Sequence, residues 1–586
     1  MKFLDKNLSL LIVLVVAVLM LLPFLGLTEF NTKGEPREAV VAVSMLKDGN
    51  WILPVNNGMD IPYKPPFFHY CIAVLSLLTG GVNEYTSRLP SALSLIAMTI
   101  GCFCFYRKRL STNVAVASAL LLLTSFEVHR AGASCRVDMM LTVFIVGALL
   151  LLYRWWERGS HGVPVLAVLC MSCATLTKGP VGFVLPCFVM GVFMLLRGEH
   201  FWKTCFKFVG FGLLSCILPL MWYVAAWIDG GQQFLDLVYE ENIGRMTGTM
   251  SYESHEHSFP YNFFTLSTGW LPWTLLLIFS LFAKPWKALK WRKTGEKLRI
   301  RIMQIPPVKL FTWLSFLLVL FFYCIPSSKR SVYLLPCYPF MAVLIAQYIE
   351  WLWTSNHHRV LRVYVCVIAA IAIILTAVYG VVHLGLVPDS IFHGKHANEN
   401  IAILHALRDT KLDFTSFVLM LMPFVTAVDS LFLTYRKAMR DKKRVMAYCL
   451  FMPLVVLMMA LDGLYLPTIL NTKSLRPMAN YIQRTFPNEP VYQYVEGSVM
   501  HFFGADFYLG DTIDQFEKPV RTTVNGKTVV EKKTPSKGVL VVSENDFKAL
   551  ADRHPDYNFA HMATLKGRVS ELKDNISFYR FSMKTK

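Results

Sequence analysis

The feature that most constrains this chain is its series of apolar runs, many close to the roughly 20 residues a helix needs to cross the hydrocarbon of a bilayer. Leu8–Leu27 is the first, and comparable runs recur as far as residue 466. Inside a bilayer no water satisfies the backbone, so runs of this length fold as helices. Composition agrees, with 54% of residues hydrophobic and 17% charged, against about 25% charge in soluble domains. An ordinary cytosolic enzyme is excluded, and a mainly α-helical, polytopic membrane protein is expected.

The formal charge of +19 could in principle mean nucleic acid, but its distribution argues otherwise. The cations sit in short patches between apolar runs, as they do in cytoplasmic loops. The expected surroundings are membrane lipids, with no nucleic acid partner. All 13 cysteines lie between Cys71 and Cys449, mostly within apolar runs, which excludes a disulfide framework. Cys170 and Cys173 read as helix-packing thiols.

The first run follows Lys2 and Lys6 and lacks a small-residue cleavage site, so it reads as an uncleaved span that starts in the cytoplasm. Residues 28–84 are not clean membrane. Gly34-Glu35-Pro36-Arg37 opens a helix that Gly49 closes, and its mix of valines and charges suits a helix lying along the surface. Pro65-Pro66 opens a short apolar stretch to Thr79, again interfacial.

Spans then follow near 86–106, 112–127, 137–153, 163–177, 181–196, 208–228, 261–282, 310–325, 333–350, 363–387, 414–434 and 446–466. Their loops alternate in sign. Arg107-Lys108-Arg109, Arg154 with Arg158, and Lys284 to Lys309 fall inside, whereas Asp229 to Glu256 carries acids outside. About thirteen spans from a cytoplasmic N-terminus place the C-terminus outside. Residues 1–467 thus form the membrane domain. Residues 468–586, with Val491-Tyr-Gln-Tyr-Val495 and Gly538-Val-Leu-Val-Val-Ser543 as strands, read as a small α/β domain on the outer face.

Charged groups at membrane depth are costly and therefore mark candidate sites. On the outer face these are Glu35, Arg37 and Glu38; Tyr63 and Lys64; Arg136 and Asp138; Lys178; Glu241 with Arg245; and Lys329-Arg330 with Tyr333. Each also has a plain structural reading, such as acids complementing a helix N-terminus or a lysine snorkelling at the interface. Outer-loop cations nevertheless run against the positive-inside rule. Cations near the bilayer surface joined by a few carboxylates suit a substrate with an anionic head and an apolar tail, such as a polyprenyl-phosphate sugar. Cations would hold the phosphate and a carboxylate would take a proton from an acceptor hydroxyl. The lipid phosphate is a stable leaving group, so no cofactor is required; a divalent metal would help but is not obligatory. His255 and His257 beside Glu253 and Glu256, with His129 elsewhere, form no helical HxxxH or HExxH pattern, and no metal is expected.

Several of these residues lie in longer runs. Gly34-Glu-Pro-Arg-Glu-Ala, Met45-Leu-Lys-Asp-Gly-Asn-Trp51, Tyr63-Lys-Pro-Pro66, Asn83-Glu-Tyr-Thr-Ser-Arg-Leu-Pro90, Leu176-Thr-Lys-Gly-Pro180, Glu241-Asn-Ile-Gly-Arg245, Gly269-Trp-Leu-Pro-Trp273 and Ser328-Lys-Arg-Ser-Val-Tyr-Leu-Leu-Pro336 occur in order. Over residues 8–340 the chain resembles the aminoarabinose lipid A transferases. These belong, with the protein O-mannosyltransferases, to a superfamily of polyprenyl-phosphate-dependent enzymes of the GT-C fold. The resemblance implies a GT-C transmembrane domain in a bacterial inner membrane and a periplasmic C-terminal domain. It implies inverting transfer of a sugar from undecaprenyl phosphate to lipid A, another glycolipid or a protein. Relatives carry an Asp-Glu pair in the first loop; here Gly34 replaces the Asp. Glu35 or Asp138 is then the expected base, and Lys64, Arg245, Lys329 and Tyr333 match positions expected to hold the phosphate. Arg37, Glu38, Tyr63, Lys178 and Glu241 are further pocket candidates. A flippase of the same lipid-linked sugar is the alternative, but it should show polar groups through the full membrane depth.

Overall fold

The computed structural model describes residues 2–62, 64–244, 247, 256–283, 303–394, 396–436, 442–496, 502–524, 527–565 and 574–584. The chain opens with α1 (Lys2–Leu21). Two shorter helices follow, α2 (Gly34–Asp48) and α3 (Phe67–Thr79), and then α4 (Glu84–Arg107), α5 (Thr112–Leu123), α6 (Phe126–Gly132), α7 (Val137–Glu157), α8 (Val165–Lys178), α9 (Val181–Leu196) and α10 (Phe201–Tyr239). Beyond α10 lie α11 (Tyr261–Gly269), α12 (Trp273–Ala283), α13 (Pro307–Phe322), a 3-10 turn at Ser331–Cys337 and α14 (Tyr338–Thr354). The membrane part ends with α15 (His358–His383), α16 (Ala397–Asp409), α17 (Phe414–Tyr435), α18 (Lys443–Ala460) and α19 (Leu466–Leu470).

Every run read as a span is a helix or a bent helix pair. Among the described residues, eight segments are long and apolar enough to cross a membrane, or ten if the pairs α5–α6 (bent by 69°) and α11–α12 (bent by 104°) each count once. The other three runs, α8, α9 and α13, are helices of 14, 16 and 16 residues. Thirteen crossings therefore stand as an expectation that length and composition alone carry to ten.

Aromatic rings fill the centre of the bundle. Tyr153 of α7 lies 5.4 Å from Phe105, 5.7 Å from Phe193 and 4.7 Å from Phe311, between ring centroids, spacings that favour edge and tilted contact. Trp270 and Trp273, from the Gly-Trp-Leu-Pro-Trp run, are fully buried and stack on Tyr338 and Tyr364. Among the polar pairs that bridge the bundle, His129 Nε2 lies 2.7 Å from Asp462 Oδ2. That contact explains His129 as a packing group.

The C-terminal residues form a five-stranded sheet in the order β2–β1–β5–β7–β6, with β1 (Val491–Tyr494), β2 (Asp514–Gln515), β5 (Lys537–Ser543), β6 (Tyr557–Leu565) and β7 (Ile576–Met583). A hairpin of β3 (Lys518–Val524) and β4 (Lys527–Lys533) stands apart. Strand β1 runs parallel to β2 and β5, and β7 runs antiparallel to β5 and β6. Both strands expected from the sequence are present. Residues Val539 to Val542 of β5 are fully buried on both faces. Val539 and Val541 pack toward α20 (Arg476–Thr485), and Leu540 and Val542 toward α22 (Glu544–Arg553), following the two-residue period of a strand.

This domain covers the segment between α1 and α4. Helix α2 is packed between α3 and α21 (Phe503–Leu509), so the C-terminal domain covers the helix expected along the surface. The reason is a cluster of polar contacts between domains. Asp511 accepts from the Asn57 backbone N–H (2.8 Å) and the Ser44 hydroxyl (2.8 Å), and the Asp511 carbonyl accepts from Lys47 Nζ (2.5 Å). The Gln493 and Gln515 side chains donate to Asn57 at 3.2 and 3.4 Å. Asn57 and Gly58 have left-handed φ angles of 49° and 72°, a tight turn whose tip packs against Asp514.

Candidate functional site

The site is assembled from helix ends. Pro36 is tolerated in the first turn of α2, where its missing N–H has no intrahelical partner anyway, and Gly49 caps the helix with φ of 70°. Asp138 is the second residue of α7 and Lys178 the last of α8, each placed where the helix dipole favours its charge. Lys64 precedes Pro65-Pro66 and α3, and Arg330 and Tyr333 come from the 3-10 turn and its entry.

These elements enclose a small polar cavity. It is lined by the cations Arg37, Lys64, Arg136, Lys178 and Arg330, by the carboxylates Glu38 and Asp138, and by Tyr333. Among the described residues the lining thus has five cations against two acids, an arrangement that favours an anion. Lys64, Lys178 and Tyr333 also line a second, apolar cavity of about 470 Å³. Its walls include Pro65, Pro180, Val184 and Phe322, and beyond Val184 and Phe322 a further apolar space reaches Phe188 and Phe259. A charged chamber therefore opens directly onto an apolar groove.

Ion pairs organise the chamber. Lys64 donates to Glu38 Oε1, Arg37 approaches the same oxygen at 3.5 Å, and His69 Nε2 donates to Oε2 at 3.0 Å. Burial alone would raise the Glu38 carboxyl, but Lys64, with His69 and Arg37, holds it well below the usual range. Asp138 pairs with Lys178, whose ammonium sits 4.2 Å from the centre of the Tyr333 ring.

Glu35 is not in this chamber. Arg88 grips it in bidentate fashion, Nε to Oε1 at 2.8 Å and a terminal nitrogen to Oε2 at 3.1 Å, and the Cys135 N–H adds a third bond of 2.9 Å. Burial works against its charge, yet Arg88 and these hydrogen bonds keep the carboxyl low. Gly34 leaves room for a neighbour: a Cβ there would meet the Arg136 guanidinium at 2.5 and 2.9 Å. Arg136 fills the volume that an acid at position 34 would need. Lys329 is also turned away, its Nζ donating to the carbonyls of Pro326 (2.7 Å) and His257 (2.8 Å). It ties two loops together while Arg330 faces the chamber.

Glu241 lines the apolar groove. Tyr63 and Arg245 lie outside the described residues, as do Glu253 and His255. Among the described residues no three His, Cys, Asp or Glu side chains gather to hold a metal ion, and His257 stacks on Tyr261 with centroids 3.8 Å apart. Sequence reasoning named Arg136 and Arg330 but assigned neither a role, and it missed His69. The vacancy at Gly34 was the one available signal for Arg136; nothing in the sequence marked His69.

Comparisons with known proteins place this geometry. Residues 63–223 match the family described as dolichyl-phosphate-mannose-protein mannosyltransferase. A protein of unassigned function from Aquifex aeolicus is 30% identical over 318 residues, 54% of this chain and 67% of its own. The chain belongs to one family with this Aquifex protein. An undecaprenyl phosphate-alpha-4-amino-4-deoxy-L-arabinose arabinosyl transferase from Enterobacter sp. is 28% identical over 366 residues, 58% of this chain and 59% of that one. The chain spans under two thirds of the length of the first curated relatives it matches, 57 to 60%. The crystal structure of ArnT from Cupriavidus metallidurans bound to undecaprenyl phosphate superimposes with a TM-score of 0.66 at 18% identity, over 98% of this chain and 97% of that one. The GT-C fold thus extends over nearly the whole chain, whereas sequence similarity covers little more than half.

Proposed function

We propose that this multi-pass membrane protein is a glycosyltransferase that moves a sugar from a polyprenyl phosphate, undecaprenyl phosphate in bacteria, to an acceptor on the periplasmic face. One observation carries the reading: the cation-rich chamber opens onto the apolar groove through Lys64, Lys178 and Tyr333. A phosphate head fits the first and a polyprenyl tail the second. The names of the curated relatives and of the ArnT complex support the same donor.

In this reading Lys64, Arg330 and Tyr333 hold the donor phosphate, with Arg136 behind them and Arg245 a further candidate. They stabilise charge that grows on the phosphate as the glycosidic bond breaks. A chamber carboxylate accepts the acceptor proton, and a single displacement inverts the sugar. Glu35 serves the scaffold. Lipid A, another glycolipid and a protein hydroxyl all fit as acceptors. The N-terminus is cytoplasmic, residues 468–586 are periplasmic, and transfer proceeds without a divalent metal.

The test is transfer by purified protein in detergent from an undecaprenyl-phosphate sugar to envelope lipids or proteins, with products read by mass spectrometry. Product formation that survives chelator is expected; flipping of the donor without product would refute the reading. Lys64→Ala removes a charge-assisted contact of about 1.5–3 kcal/mol, so undecaprenyl phosphate affinity should fall roughly 10- to 150-fold.

A further inference from the structure

Two carboxylates line the chamber, and each is already held by a lysine that also lines the tail groove: Glu38 by Lys64, and Asp138 by Lys178. Their surroundings differ behind the pair. Asp138 sits at the start of α7 and accepts from Lys178. Glu38 has a second anchor on its far oxygen, the Nε2–H of His69 at 3.0 Å. His69 comes from the first turn of α3, is 1% exposed and lies outside the chamber lining. Its Nδ1 is buried with no hydrogen-bond partner among the described residues. Facing a carboxylate oxygen, which can only accept, Nε2 is the donor of that contact.

A phosphate arriving at the mouth of the chamber meets Lys64 and Lys178, since both side chains border both spaces. Lys64 cannot serve a phosphate and the Glu38 carboxylate equally. As it turns to the donor, Oε1 loses its strongest partner, while Oε2 stays fixed by His69. We infer that Glu38 is the proton acceptor of the transfer, armed when the donor phosphate draws Lys64 off its carboxylate, with His69 as the positioning residue that keeps it aimed. This rests on the glycosyltransferase reading above.

The step balances without a co-reactant. The acceptor hydroxyl gives its proton to Glu38 Oε1 as its oxygen forms a bond to the anomeric carbon. The bond from that carbon to the phosphate oxygen breaks, and the electron pair leaves with undecaprenyl phosphate. Glu38 then returns the proton to water as product departs, and Lys64 closes back onto it. Donor binding thereby precedes base activation, so acceptor alone finds a neutralised site.

The experiment pairs undecaprenyl phosphate affinity with single-turnover transfer in purified, folded protein. Glu38→Gln should lower turnover by about 10²–10⁴-fold and bind undecaprenyl phosphate more tightly than wild type, because Lys64 no longer has a competing carboxylate. His69→Phe should lower turnover with donor affinity little changed and move the acid limb of the pH–rate profile upward, since a hydrogen bond that favours the Glu38 anion is gone. His69→Gln, which keeps an N–H donor, should restore both; a purely packing role for His69 would leave the acid limb where it is. Glu38→Gln turnover within about threefold of wild type, or unchanged donor affinity in that variant, would overturn the inference. Wild-type protein that neither binds undecaprenyl phosphate nor forms product would instead overturn the glycosyltransferase reading.

Discussion

Replacing Glu35 with alanine asks whether an acid at the start of α2 serves chemistry or architecture. Arg88 is 3% exposed, and its guanidinium spends two bonds on Glu35 and others on the carbonyls of Leu25 (2.7 Å) and Thr28 (2.5 Å). Without Glu35 a buried guanidinium keeps its charge but loses its counterion, at a cost of about 3–5 kcal/mol. The Cys135 N–H is orphaned as well, although the two losses share one environment and do not add simply. The assay is thermal melting in detergent followed by tryptophan fluorescence, with turnover measured well below the transition. A fall of roughly several degrees is expected, with turnover per folded molecule within about threefold of wild type. Because the Glu35 carboxyl is held low, its contribution is complete above the unfolded carboxyl value of about 4.3 and is lost as pH falls through the folded value. An unchanged melting temperature with turnover reduced a hundredfold or more would refute this reasoning and return Glu35 to the chemistry.

Other outcomes follow from the same geometry. Burial pushes the Asp506 carboxyl well above its usual range, and the neighbouring Asp511 adds to this; its stabilising effect is full at acid pH and is lost as pH rises through the raised value. Asp506→Asn should therefore raise the melting temperature at pH 8 and flatten its pH dependence, and equal melting of the two proteins at pH 8 would count against it. Gly58→Ala forces a side chain into a left-handed conformation, about 1–2 kcal/mol, and against Asp514. Limited proteolysis should show the 56–60 turn released, and Asp514→Ala in the same chain should recover part of the protection. Lys329→Ala removes the tie between two loops, so melting should fall while undecaprenyl phosphate affinity drops less than in Lys64→Ala, measured side by side.

The membrane architecture was legible in the sequence because its cause is one-dimensional. A bilayer demands apolar length and satisfied backbone, and both can be counted along the chain. Each of the runs read as spans is a helix or bent pair, and Val491–Val495 and Gly538–Ser543 supplied strands. The chamber was legible as a set of residue types: Lys64, Asp138, Lys178, Arg37, Glu38 and Tyr333 were all named, because charge beside an apolar run stands out.

Which of those charges meet is a different kind of fact, settled only when helices pack. Glu35 and Glu38 lie within one turn of α2, yet Glu35 meets Arg88, 53 positions away, whereas Glu38 meets Lys64 and His69. Lys329 and Arg330 are adjacent, but one caps carbonyls and the other faces the chamber. The helix α2 read as a surface helix because its own residues are amphipathic. What covers it is a domain more than 400 positions later, which seats Asp511 on Asn57, Ser44 and Lys47. Hydropathy records what a segment tolerates, whereas ion-pair partners depend on distances that arise only between elements remote in the chain. The sequence alone therefore determined the membrane-spanning class and the inventory of the site, and tertiary packing decided the partner and role of each side chain.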